Sequence, residues 1–151
     1  MKCVKLLLIG MLLFTIKAYC PTSKAITIFE AQPLYIHNMQ DPILRAFVMQ
    51  ESGFKENVVN PVSGARGVLQ ILPVMIKEVN RICKKLGIDK HYTWKDAFNA
   101  QKSIEIWYIV QNYHNPSYDL QKACQIWFGR GVQYDGLTWI GYHKGVLKYL
   151  I

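Results

Sequence analysis

The sequence is short of several things, and each shortage narrows what the chain can do. It has 4 cysteines and 4 histidines in 151 residues. Neither His91, His114 and His143 nor Cys83 and Cys124 stand at the His-x-x-x-His or paired-cysteine spacings that hold a metal, so no metal site and no cofactor is expected. No repeat, low-complexity stretch or linker interrupts residues 30–151, and a chain of this length builds one hydrophobic core. Acids are scarce, 10 Asp and Glu against 18 Lys and Arg, for a net charge of +8. That basic excess is spread along the chain rather than clustered, which suits an anionic polymer better than a dedicated nucleic-acid reader. The one long apolar run, Leu6 to Ile16, falls short of the about 20 residues that a membrane-spanning helix needs.

What stands at the N-terminus is a charged segment, Met1-Lys2-Cys3-Val4-Lys5, followed by that apolar run and Lys17. The pattern reads as a secretory signal peptide over residues 1–25, with Ser23 and Ala25 as the small residues before the cut. A mature domain over 26–151 follows. Removing the leader takes away Lys2, Lys5, Lys17 and Lys24 and no acid, so the +8 of the whole chain falls to +4. Cys3 and Cys20 leave with it, and Tyr19 before Cys20 and Pro21 after it argue against lipid attachment. Cys83 and Cys124 then sit in a compartment that permits disulfides, and their apolar helical positions fit a disulfide and two buried thiols equally well.

Beyond the leader the chain reads as mainly helical. Asp41-Pro42 is a capping residue followed by proline at the first helical position, and Ile43, Leu44, Phe47 and Val48 carry the apolar stripe to a stop at Gly53. Residues 57–67 are rich in turn formers and lead into Val68-Leu69-Gln70-Ile71-Leu72, predicting a short irregular or β-like loop. A second helix starts near Pro73 and carries Met75, Val79, Ile82, Cys83 and Leu86 to Gly87. Thr93-Trp94-Lys95-Asp96 caps a third stretch running to Asn115-Pro116, apolar on more than one face and therefore central. Two further helices are expected, one over about residues 118–128 before Gly129 and Gly131, and one from about Thr138, where Gly141 and Gly145 interrupt an otherwise helical pattern.

One acid is placed unlike the others. Glu51 lies four residues after Phe47, three after Val48 and seven after Leu44, on the apolar stripe of its own helix. A carboxylate held there without a partner is costly, so it either finds a cation or donors, or its pKa rises until it keeps a proton. The second outcome makes a general acid near neutral pH. Spacing alone fits equally an ordinary helix-end Glu that turns to solvent or reaches Arg45 or Arg66.

The residues that follow weigh further. Glu51-Ser52-Gly53-Phe54, Asn60-Pro61, Ser63-Gly64-Ala65, Gly67-Val68-Leu69-Gln70-Ile71 and Pro73 together resemble the soluble lytic transglycosylase family of the lysozyme-like superfamily. Downstream, Asp96-Ala97-Phe98-Asn99, the helix from Lys102 to Trp107, and Ala123-Cys124-Gln125-Ile126-Trp127-Phe128-Gly129 look like the family's later motifs, so the resemblance spans about residues 38–150. The pattern departs in three places: Ser63-Gly64-Ala65 lacks one spacer residue, Phe128 stands where the family has Asn, and Arg130 where a small residue is usual.

The resemblance implies a lysozyme-like fold of the goose-type lysozyme and lytic transglycosylase kind, acting on peptidoglycan glycan strands with a single catalytic carboxyl. Carried onto this chain, that carboxyl is Glu51, acting first as acid and then as base to leave a 1,6-anhydro product. Among candidate sugar-binding residues, Gln70 has an amide that can donate and accept, Ser52 sits beside the acid, Tyr142 is placed like the family's late groove tyrosine, and Trp127 and Phe128 offer aromatic faces. Helical spacing favours core packing for Trp107 and Trp127. Glu56, in the loop after Glu51, is the one candidate for a second carboxylate, which a hydrolytic muramidase of the same fold would need; a solvated loop charge fits it better. A peptidoglycan-binding or assembly protein without turnover is the rival from another class. Location outside the cytoplasm, in the periplasm or envelope, is expected, and secretion, conjugation, phage or wall-turnover machinery are equally open as partners.

Overall fold

The computed structural model describes residues 40–129 and 138–150, all within the compact unit Ala31–Ile151. The expected signal peptide, Arg130 and Gly131 lie outside the described residues. Among the described residues five α-helices carry the fold: α1 Pro42–Ser52, α2 Pro73–Leu86, α3 Ala100–His114, α4 Leu120–Phe128 and α5 Trp139–Leu147. The mainly helical class is as the sequence indicates.

The helix ends follow local chemistry. Asp41 caps α1 by accepting from the backbone N–H groups of Ile43 at 2.9 Å and Leu44 at 3.1 Å, two donors that have no partner within the helix. Pro42 fills the first turn, and Gly53 closes α1 in the left-handed conformation at φ 58°. Pro73 opens α2 and Gly87 ends it in the same way. Asp119 caps α4 through Lys122 N–H at 2.6 Å, and Thr138 stands at the N-cap of α5.

The third expected helix is broken in two. Thr93 and Asp96 form a reciprocal capping box, but the turn they start is a short 3-10 helix, Trp94–Phe98, and α3 begins anew with Asn99 as its cap. The physical reason lies in the Ala97 carbonyl. It accepts from the Ser103 hydroxyl at 2.9 Å, and Gly67 from the preceding loop presses onto it so closely that a Cβ on Gly67 would lie 1.7 Å from the oxygen. Gly67 holds φ 73°, so glycine is required there twice over.

The loop after α1 is the β-like segment the sequence leads one to expect. Among the described residues its pairing consists of two isolated antiparallel bridges, Val59 with Arg66 and Arg66 with Ile71. The Asn60 side chain accepts from Val62 and Ser63 N–H, which tightens the turn, and Ala65, Val68, Leu69 and Ile71 point into the core. The core itself gathers around α3, whose Trp107 is 1 % exposed and meets the α1 residue Phe47 edge-on at 5.6 Å between centroids. Cys83 and Cys124 are both buried and both free thiols. The helix α3 packs on α2, and α5 packs on α1 and α4, which brings the C-terminal end of α1 under the last two helices.

Candidate active site

Glu51 is the next-to-last residue of α1, on the face that carries Leu44, Phe47 and Val48 into the core. Its partner comes from α5: the Tyr142 hydroxyl donates to Glu51 Oε1 at 2.5 Å. Burial pushes the Glu51 pKa up from 4.5 to about 7, and the Tyr142 hydrogen bond, which favours the charged form, only partly offsets this. Its place at the C-terminal end of α1 acts in the same upward direction, since the helix dipole is negative there. The residue as a whole remains partly exposed.

The alternatives left open by spacing resolve here. Among the described residues no cation pairs with Glu51. Arg66 instead lies over the ring of Trp94 at 3.7 Å from its centroid, and Arg45 is exposed on another face of α1. Asp41, at the far end of α1 and about 15 Å away along the axis at 1.5 Å per residue, is engaged by its cap bonds and by the Tyr108 hydroxyl at 2.9 Å. Glu56 is exposed.

Tyr142 is 3 % exposed and is held by rings from two helices. Phe47 of α1 meets it edge-on at 5.9 Å, and Phe128 of α4 lies against it at 5.1 Å with a 30° tilt. Burial, the Asp119 charge and then the Glu51 charge hold the pKa of the Cys124 thiol, one turn before Phe128 on α4, at about 12. Gly145, one turn after Tyr142, leaves the space that the Gln50 side chain fills: a Cβ there would lie 2.6 Å from Gln50 Oε1. The glycine that interrupts the α5 pattern is thus the point of close approach between α5 and α1.

The other candidates are distributed unevenly around this pair. The Ser52 hydroxyl donates back to the Val48 carbonyl at 3.2 Å and so closes the last turn of α1. Gln70 sits at φ 48°, and its amide nitrogen donates to the Gly67 carbonyl at 2.9 Å and to that of Val58 at 3.4 Å; its Oε1 makes neither of these bonds. The Trp127 indole N–H donates to the Leu69 carbonyl at 3.2 Å, which ties α4 to the residue before Gln70. Gln70 and Trp127 are therefore linked through one short backbone segment. Three residues whose sequence pattern marks them only as core or helix positions also stand at the site: Phe47 and Cys124 beside the Tyr142–Glu51 pair, and Gln50 beneath Gly145. The shared helical face of Cys124 and Phe128 was the available signal for the second.

The Transglycosylase SLT domain matches residues 30–123, well over half of the chain. The chain belongs to that family. No curated protein and no solved structure matches it. Membership in the SLT family brings a lytic transglycosylase-type function on peptidoglycan at the level of the family, and that substrate lies outside the cytoplasm. The matched segment holds Glu51, Ser52 and Gln70; Trp127, Phe128 and Tyr142 lie beyond it and are brought to Glu51 or its loop by the packing of α4 and α5. No helix among the described residues is long and apolar enough to cross a membrane.

Proposed function

We propose that this SLT-family chain is a lytic transglycosylase that cleaves the β-1,4 bond between N-acetylmuramic acid and N-acetylglucosamine, with Glu51 as its single catalytic carboxyl. The observation that carries the reading is Glu51 itself: a core-facing carboxyl without a cation among the described residues, held by one phenol at 2.5 Å and pushed to about 7. Such a group holds a proton near neutral pH and can part with it, which is what a general acid needs.

In the first step Glu51 gives its proton to the glycosidic oxygen, the bond from that oxygen to the anomeric carbon breaks, and charge builds as an oxocarbenium-like transition state. Glu51 is now a carboxylate, and the Tyr142 hydroxyl stabilises it. In the second step the muramic acid C6 hydroxyl attacks the anomeric carbon and its proton passes to Glu51. The acid is restored and a 1,6-anhydro end is left without water being consumed. Gln70, with its nitrogen turned to the loop and its carbonyl oxygen outside those bonds, would accept from an N-acetyl or hydroxyl group; Ser52, Trp127 and Phe128 shape the wall beside it. Residues 1–25 export the domain to the periplasm or envelope, where secretion, conjugation, phage or wall-turnover machinery would use it.

Digestion of purified peptidoglycan by the protein, with products read by mass, tests this. Anhydro ends lighter than hydrolytic products by one water are expected, lost in Glu51→Gln and retained in Glu56→Gln. Reducing ends alone would make the chain a muramidase, and undiminished cleavage by Glu51→Gln would remove Glu51 from the role of acid.

A further inference from the structure

This chain carries Phe128 where the family it resembles has Asn. The Phe128 ring lies 5.1 Å from the Tyr142 ring at a 30° tilt, on a tyrosine that Phe47 already meets edge-on at 5.9 Å. The Tyr142 hydroxyl ends on Glu51 Oε1. Three helices thus contribute to one chain of contacts, Phe128 of α4 against Tyr142 of α5, Tyr142 against Glu51 and Phe47 of α1. An aromatic pair in an offset or tilted arrangement adds to the area it buries, whereas an amide at the same place would bring donors and acceptors that need water or partners.

We propose that Phe128 is a positioning residue for the acid: through its contact with Tyr142 it seats the phenol on the Glu51 carboxyl and keeps that side of the pair dry. This deepens the proposed reaction and rests on it for the role of Glu51, but the contact makes its own demand on the protonation of that carboxyl. Among the described residues the titratable groups that face Glu51 are Tyr142 from α5 and the Cys124 thiol from α4. Both hold their protons well above neutral pH, since burial raises both, so neither titrates across the working range. Among the described residues no cation pairs with it from α1, α4 or α5. Burial is the larger of the two influences on Glu51 and the Tyr142 bond the smaller, so admitting polar atoms and water beside Tyr142 shifts the balance toward the carboxylate.

The test is Phe128→Asn, the family's own residue, with Phe128→Leu and Phe128→Tyr as apolar and aromatic controls and circular dichroism to check folding. Two readouts run in parallel, a carbon-detected NMR titration of Glu51 Cδ and the pH profile of glycan cleavage. For Phe128→Asn the Glu51 midpoint is expected to fall from about 7 to about 6. The ratio of cleavage at about pH 8 to cleavage at about pH 5 then drops roughly tenfold, whatever the variant does to the overall rate, because one pKa unit changes the protonated fraction by that much only on the alkaline side. The Leu and Tyr variants are expected to keep the wild-type midpoint. Should the Asn variant fail to fold, Phe128→Gln carries the same comparison. A midpoint that stays at the wild-type value in the amide variants, or an equal fall in the Leu variant, overturns the assignment. The NMR arm needs no turnover, so a shifted midpoint beside an active Glu51→Gln protein would sink the proposed acid and leave the role of Phe128 standing. An unmoved midpoint beside a dead Glu51→Gln protein would do the reverse.

Discussion

Replacing Glu51 by Gln should make the protein more stable at alkaline pH, and the size of the gain can be worked out. A carboxyl whose folded pKa lies above its unfolded value favours folding most fully below the unfolded pKa, and that advantage is lost as pH rises through the folded pKa. For Glu51 the window runs from 4.5 to about 7. At 1.36 kcal/mol per unit, the wild-type protein loses about 3 kcal/mol of stability across it and then levels off. Gln has nearly the same shape, stays neutral throughout, and its amide oxygen can accept the Tyr142 hydroxyl as the carboxyl does. Glu78 and Asp96, whose cationic neighbours Arg81 and Lys102 hold their carboxyls down to about 2, act alike in both proteins and cancel in the difference. Thermal unfolding of the two proteins, followed from about pH 4 to about pH 9, is the assay. Near pH 4 the curves should nearly coincide; near pH 8 the Gln variant should melt about 10 °C higher, at roughly 3–4 °C per kcal/mol for a domain of this size. Parallel curves, or a Gln variant that is less stable at every pH, would show that Glu51 is not a desolvated carboxyl and would remove the physical basis for a proton held near neutral pH.

Two structural predictions concern the loop that follows the acid. Gly67→Ala places a methyl group 1.7 Å from the Ala97 carbonyl oxygen at a φ of 73°, so backbone must separate; a loss of about 3 kcal/mol or more is expected in denaturant unfolding, and a loss below about 1 kcal/mol would show that the loop does not press on the 3-10 helix. Trp127→Phe removes the indole donor to Leu69 and keeps most of the ring. A cost of about 1 kcal/mol is expected, with KM for peptidoglycan raised more than kcat is lowered, because the bond braces the backbone next to Gln70; an unchanged KM would leave Trp127 as packing alone.

The helix ends were the most legible part of this chain because caps act within one turn. Asp41-Pro42, Gly53, Pro73 and Gly87 stop and start α1 and α2 where their residue types indicate, with no tertiary partner needed. The break at Asn99 was not legible for the opposite reason: it depends on the Ala97 carbonyl, whose partners are Ser103 six residues on and Gly67 thirty residues back. The placing of Glu51 on an apolar stripe could be read from spacing, but whether a cation would meet it could not, since Arg66 is drawn away by Trp94, a contact between segments. Tyr142 lies 91 residues beyond Glu51, and periodicity within α5 says only that it is an inward position. Its choice as a site residue came from the family resemblance. The structure adds that it is buried beneath the acid, so its hydroxyl serves the carboxyl, while Trp127, an aromatic wall in the sequence reading, has its polar atom bound to the Leu69 backbone.

The two carboxylates at the ends of α1 show how one helix assigns opposite tasks to the same chemical group. Asp41 accepts two backbone N–H groups and a tyrosine hydroxyl, which fixes it as structure. Glu51 receives a single hydroxyl against a larger cost of burial, which leaves its two protonation states close in free energy near neutral pH. A group in that condition can serve as acid and then as base within one turnover, and the second duty is what the proposed reaction asks of it. A water-activating pair of carboxylates in an inverting glycosidase stands about 6.5–9.5 Å apart, and a retaining pair about 5–5.5 Å; Asp41, about 15 Å away along the helix, meets neither spacing, and Glu56 is exposed. With one ambivalent carboxyl at the end of α1, the proposed reaction takes its nucleophile from the sugar itself. The C6 hydroxyl of the cleaved muramic acid is close to the anomeric carbon by its own covalent geometry, an advantage of proximity that needs no second protein group to orient it.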